Sequence, residues 1–240
     1  SEDRADKCDA TQMKRVQVIA AAASYLIASA DEKMADDIAS EIFGNAGERI
    51  GNQYKRAANA LTIAGAEDFD AAYTDGRNFI EAAVLNEKNT LASVNELQAD
   101  KAHLQQLSDG LDALGESYLM GLESLMKNKA SALNRKPVDI KLSAEEKKLR
   151  NITARQTEKM TLNGYRAYGN ILNSLPSEIK EKYKAGRLDV AELIRLADGQ
   201  TNGMDILKQL NAQKSYYGNA SADAVYNQLM LLKEAGLLIF

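Results

Sequence analysis

Cysteine, histidine, proline and tryptophan are nearly missing from this chain: one Cys, one His, two Pro and no Trp in 240 residues. Each scarcity excludes something. With Cys8 alone no internal disulfide can form, and with His103 alone no imidazole- or thiolate-rich zinc or iron site can be assembled from the chain's own residues. Pro137 and Pro176 are the only proline breaks, so long stretches rich in alanine and leucine run on uninterrupted, the vocabulary of long α-helices rather than of a β-rich fold. No run reaches the roughly 18 consecutive apolar residues of a membrane span. The richest, Val16–Ala30, contains Gln17, Ser24 and Ser29 and reads as a buried helix.

What is present is the balance of a globular chain, 45% hydrophobic and 27% charged, long enough for one large domain or two ordinary ones. Thirty basic against 34 acidic side chains leave a net charge of −4, with no overall pull toward nucleic acid or an anionic membrane. The chain opens at Ser1 without an initiator methionine, which is expected of a processed product or a piece of a longer protein.

Three capping boxes mark helix starts: Asp9–Gln12, Ser29–Glu32 and Ser143–Glu146. After the first, Met13, Val16, Ala20, Ala23 and Ile27 form one apolar face and Val18, Ile19, Ala22 and Leu26 a second, so this helix wants partners on two sides. The second box opens a stretch with Met34, Ile38, Ile42, Ile50, Tyr54 and Leu61 at helical spacing, ended by Gly65. A third stretch, from Glu67 through Phe69, Ile80, Leu91 and Leu104, is expected to run about 40 residues, or about 60 Å. Ser108-Asp-Gly110 reads as a break before a helix with Leu111, Tyr118 and Leu125. The three stretches predict an up-down-up antiparallel bundle.

Asn134–Leu142, with Pro137, reads as a linker, and the third capping box as the start of a helix passing Leu149, Ile152, Met160 and Tyr165. Beyond Pro176 the rhythm shortens to Ser177–Tyr183, Asp189–Ala197, Gly203–Lys214 and Ser221–Ala235, with Leu237–Phe240 as a strand. That order is the winged-helix or helix-turn-helix pattern. The expected fold is therefore mainly all-α, a long-helix antiparallel bundle followed by a small winged-helix-like module with a minor C-terminal strand. The domains are 1–30, 31–133, 134–176 and 177–240.

The chemistry-bearing residues are few. Asp100-x-x-His103 has the spacing used in di-iron bundles, but such sites take two copies and facing carboxylates, so His103 reads as an ordinary helix residue. Cys8 has no partner base and reads as an inert thiol. Tyr216 and Tyr217 read as a turn with two half-buried rings. In the C-terminal module Lys180, Lys182, Lys184, Arg187, Arg195, Lys208, Lys214 and Lys233 are matched one for one by Glu178, Glu181, Asp189, Glu192, Asp198, Asp205, Asp223 and Glu234. A neutral module whose reading helix carries one lysine and two carboxylates is a poor DNA binder. The basic stretch Lys127, Lys129, Arg135, Lys136, Lys141, Lys147, Lys148, Arg150 and Arg155 reads as a solvated face around the linker.

The opening Ser1-Glu-Asp-Arg-Ala-Asp-Lys-Cys-Asp9, leading through Met13-Lys-Arg-Val16 into an alanine-rich helix ending Tyr25-Leu-Ile-Ala28, resembles a junction in the co-catalytic zinc aminopeptidases of phosphorylase/hydrolase-like fold. There, the last zinc-binding histidine is followed by a Ser/Thr-x-Asp loop, an Asp-Lys step and the terminal helix packed on the central sheet. Gly186–Gly199, Asp205-Ile-Leu207, Ala224-Val225 and Leu231–Leu237 resemble the winged-helix appendage of some bacterial peptidases of this type. Asp31–Pro176 carries no such likeness.

The resemblance implies a parent hydrolase that releases N-terminal residues with two zinc ions and a glutamate base. None of its ligands falls on this chain, so no catalytic and no metal residue is assigned; Asp3 alone is expected near the rim of the parent site. Zinc is implied for the parent and no cofactor for this chain. The implied partner is a preceding catalytic domain, with a homo-oligomer as a further expectation, no nucleic acid and no membrane span. A bacterial, periplasmic or extracellular location is expected. Two other readings stay open: a stand-alone helical protein-interaction protein and a winged-helix transcription regulator.

Overall fold

Asp9 starts the first helix. Its carboxylate accepts the backbone N–H groups of Thr11 at 2.8 Å and Gln12 at 3.3 Å, which opens α1 (Ala10–Ala28). The structure, a computed structural model, describes residues 9–97, 99–164, 167–184, 186–213 and 219–240. Ser29 does not cap the next helix as expected. Its hydroxyl donates back to the Tyr25 carbonyl at 2.8 Å and closes α1, and the adjacent Asp31 takes over as N-cap by accepting the Met34 N–H at 2.8 Å. The following helix, α2 (Glu32–Ile63), is 32 residues long.

Two further long helices follow, α3 (Phe69–Ser93) and α4 (Lys101–Ala132). The expected break at Ser108-Asp-Gly110 is displaced: a 3-10 turn at Val94–Leu97 interrupts the chain instead, and Asp100 restarts it by accepting the Ala102 N–H at 2.9 Å. Gly110 lies inside α4. A Cβ there would stand 2.9 Å from the Phe43 ring, so this glycine makes room for an aromatic neighbour instead of ending a helix.

The chain divides into two compact units, residues 1–49 with 85–114 and residues 50–84 with 115–240. In the first, Ala35, Ala39 and Ala46 of α2 are fully buried, as are Leu91, Val94, Leu104 and Leu111. Arg49 grips the buried Glu87 carboxylate with two bonds of 2.6 Å, which hold the guanidinium pKa above its ordinary value.

In the second unit the helical part buries Ile50, Ala57, Leu61, Phe69, Tyr73, Ile80, Leu122 and Met126. A Cβ on Gly76 would fall 2.9 Å from that of Ala57 and 3.2 Å from Leu122, so α3 lies close against both neighbours. Lys129 donates to the Thr62 carbonyl at 2.7 Å, which sets the C-terminal ends of α2 and α4 side by side; with short connections on either side of α3, the order is up-down-up.

The rest of the second unit is a small helical module with a sheet at its centre. Ser143 and Glu146 form a complete capping box for α5 (Ala144–Arg150), but the long helix expected there stops after seven residues. Thr153–Gln156 is instead a strand, β1, with Ala154 buried. Local pattern loses here to tertiary pairing: β1 is the middle of an antiparallel sheet, with β2 (Asp198–Asn202) on one side and β3 (Leu238–Ile239) on the other. β2 was also unforeseen, because Asp198-Gly199 reads as a turn.

Short helices α6 (Glu158–Asn163), α7 (Tyr168–Asn173), α8 (Ser177–Lys182) and α9 (Val190–Leu196) lead to the pair α10 (Gly203–Ala212) and α11 (Ala222–Glu234). Gly236, at φ 68°, turns the chain after α11, and Thr157 donates to the Leu237 carbonyl at 3.0 Å. The run α9–β2–α10–α11–β3 is the winged-helix-like order, except that the strand between β2 and β3 comes from upstream of α9. Leu149, Ile152, Ala154 and Met160 share one core with Leu193, Ile206, Val225, Leu229 and Leu238. The fold is mainly α, as expected.

Candidate functional site

Asp3, Cys8, Tyr165, Tyr216 and Tyr217 lie outside the described residues. Several other sequence-marked positions make contacts within the fold. His103 Nε2 stands 3.3 Å from the Ser40 hydroxyl, and the Asp100 carboxylate is occupied in capping α4. Of the basic stretch, Lys127 pairs with Glu123 at 2.7 Å and Lys141 with Asp139 at 2.8 Å, while Lys129 and Arg135 bond backbone carbonyls. Along α11, Ala224, Val225, Gln228, Leu229, Leu231 and Leu232 are buried, leaving Asp223, Lys233 and Glu234 exposed at its ends.

The first unusual surface is α1. Every described side chain from Thr11 to Ala28 is exposed, including Val18 and Ile19 at 68% and Tyr25 at 76%. No charged residue occurs between Arg15 and Asp31. Valine, isoleucine and leucine left in water on all sides of a helix forgo roughly 1.5–3 kcal/mol each relative to burial.

The second is a cleft of about 270 Å³ within the second unit, formed by α3, the segment after α4, α5 and α10. Ile140, Leu142, Met204 and Leu207 supply its apolar lining, and Asp75, Arg77, Asn78, Glu81, Glu146 and Lys208 its polar part. Glu81 binds two cations, Arg77 at 2.9 Å one turn earlier and Lys208 at 2.5 Å from α10. Burial works against the Arg77 charge, but hydrogen bonds with Tyr73 and Glu81 outweigh it and raise the guanidinium pKa. Asn78 donates its Nδ2 to the Lys208 carbonyl at 2.9 Å, while its Oδ1 is buried and accepts from no donor among the described residues. Such an oxygen costs about 1–3 kcal/mol.

The sequence marked Glu146 only as a capping residue and Lys208 only as a balanced charge, and pointed to neither as part of a cleft. The i, i+4 spacing of Arg77 and Glu81 was a legible pair, but nothing local links Asn78 to Lys208, which are 130 residues apart.

Among the described residues no group of three or more His, Cys, Asp and Glu gathers to hold a metal ion. Among them, too, no helix is long and apolar enough to cross a membrane. No protein-family model, curated protein or solved structure matches the chain.

Proposed function

We propose that this chain is the non-catalytic C-terminal part of a bacterial, exported zinc aminopeptidase-like protein, and that it serves assembly, substrate access or protein interaction. The observation that supports this reading is α1, which carries two apolar faces and is exposed throughout its described side chains. A terminal helix that packs on a preceding catalytic domain has that character, because its faces are completed by residues outside this chain. The zinc ions and the base that acts on water belong to that domain. Asp3 then lies near the rim of its site.

In this reading the long helices serve assembly or access to the site, and the C-terminal module, which buries a second apolar helix, α11, binds protein. That burial, with two carboxylates and one lysine as the charged residues of the helix, supports protein contact over DNA reading.

The test has two parts. The coding sequence upstream of Ser1 should carry a His, Asp, Glu and further carboxylate series closed by a histidine beside Ser1. The purified chain with added zinc should leave aminoacyl-anilides intact. Hydrolysis by the chain alone, or a signal peptide placed directly before Ser1 by the reading frame, defeats the proposal.

A further inference from the structure

We infer that Asn163 is a site of spontaneous modification, at which the folded chain converts its own Asn163-Gly164 step into aspartate and isoaspartate. The inference holds whether or not a catalytic domain precedes this chain.

The reaction needs only the chain and solvent water. The Gly164 backbone nitrogen attacks Cγ of Asn163 and closes a five-membered succinimide ring. The C–N bond of the side-chain amide breaks, and its nitrogen leaves as ammonia with the proton that Gly164 gives up. Water then opens the ring: cleavage of the new N–Cγ bond gives aspartate, and cleavage of the original peptide bond gives isoaspartate. Glycine suits this attack best, because no side chain shields its nitrogen and its backbone turns most freely.

The sequence offers the step twice, at Asn163-Gly164 and at Asn202-Gly203, and the fold treats the two differently. Asn163 is the last residue of α6, a helix of six residues, and is exposed. A helix that short does not hold its end unaided. Its neighbour Leu162 is 77% exposed, so that side chain does little to pin the last turn. Gly164 follows at φ 67°, and a Cβ there would meet nothing within 4 Å, so the attacking nitrogen stands beside open space. Two bonds restrain the step: Asn163 Nδ2 to the Lys159 carbonyl at 2.8 Å, and the Gly164 N–H to the Met160 carbonyl at 2.9 Å. Both belong to the terminal turn and open together when it frays.

Asn202 is locked. Its Oδ1 accepts the Met204 and Asp205 N–H groups at 3.0 Å each, and its Nδ2 donates to the Asp205 carboxylate at 2.7 Å. The Gly203 N–H is held by the Ile152 carbonyl at 2.8 Å, and Gly203 is buried against Leu149. Four bonds therefore stand against two, and breaking them disturbs the module's core rather than a helix end. Two further bonds slow the second step by at least about tenfold.

Either product adds one negative charge to the formal −4 of the chain. The charge arises at the C-terminal turn of α6, where the helix's own carbonyl ends oppose it.

The experiment keeps the whole purified chain folded at weakly alkaline pH and samples it over days. Each sample is digested at acidic pH, which halts the reaction, and mapped by mass spectrometry, with isoaspartate read by isoaspartyl methyltransferase labelling. The Asn163 peptide should gain both the mass of amide-to-acid exchange and the methyl label, with Asn202 at least about tenfold slower. An acidic species should grow in isoelectric focusing, and Asn163→Gln should remove it, since glutamine must close a slower six-membered ring. In concentrated urea at the same pH the two steps should converge to within about threefold, because the difference between them resides in the fold. Asn202 reacting as fast as Asn163 in the folded chain, an Asn163 that keeps its amide when folded yet reacts in urea, or an acidic species undiminished in Asn163→Gln overturns the inference.

Discussion

α1 and α11 are both helices dominated by apolar side chains, yet in α11 Val225, Leu229 and Leu232 are completely buried while in α1 Val16, Val18 and Ile19 are each at least 64% exposed. Composition does not separate them. What separates them is the surface that the described residues supply: α11 meets α5, α10 and β3, and among the described residues nothing covers α1. An apolar helix is thus a statement about a partner, and only the fold says whether that partner lies in the same chain.

The largest effect is expected in α11. Leu229→Ala should lower the unfolding free energy by about 3 kcal/mol in urea titration, as deletion from a closed core does. A loss below about 1 kcal/mol would mean that the α11 core is as loose as α1. Gly203→Ala should cost about 1–3 kcal/mol, because the new Cβ meets the Leu149 carbonyl oxygen at 2.9 Å, and a backbone atom cannot swing aside. That loss should appear as a lower midpoint in the same titration.

Replacing Arg49 by Met removes both bonds to buried Glu87. With the arginine half exposed, the expected loss is about 1–2 kcal/mol, and it should shrink when Glu87→Gln is added.

Smaller again is an acid effect at Asp198. Burial alone would raise its pKa, but the N–H groups of Thr201 and Gln200 and the Thr201 hydroxyl prevail and hold the carboxyl below its ordinary value. The stabilisation it gives is complete above the ordinary aspartate range and is lost as pH falls below about 4. Wild type should therefore lose more stability than Asp198→Asn between about pH 4 and pH 2, seen in urea midpoints across that range. The smallest effect belongs to α1: Ile19→Asp should change the stability of this chain by less than about 0.5 kcal/mol.

Where the sequence predicts the fold well, local chemistry decides the outcome. Asp9, Ser143, Asp189 and Ser221 each cap the helix that follows, because a short acceptor next to exposed N–H groups needs no distant partner. The failures are non-local. Gly110 looks like a breaker until Phe43 is seen beside it, and Thr153–Gln156 looks helical until two strands flank it. The cleft was hidden for the same reason: Asn78, Glu146 and Lys208 carry no shared motif and meet only through tertiary packing.

In the proposed reading α1 is one half of an interface. Amide hydrogen exchange across Ala10–Ala28 tests it most directly, measured on this chain alone at low concentration and again with the chain joined to the polypeptide encoded immediately upstream of Ser1. Exchange should be fast in the chain alone, with protection rising at least about 100-fold in the joined protein. Strong protection of α1 already in the isolated monomer, or no gain on joining, would contradict it.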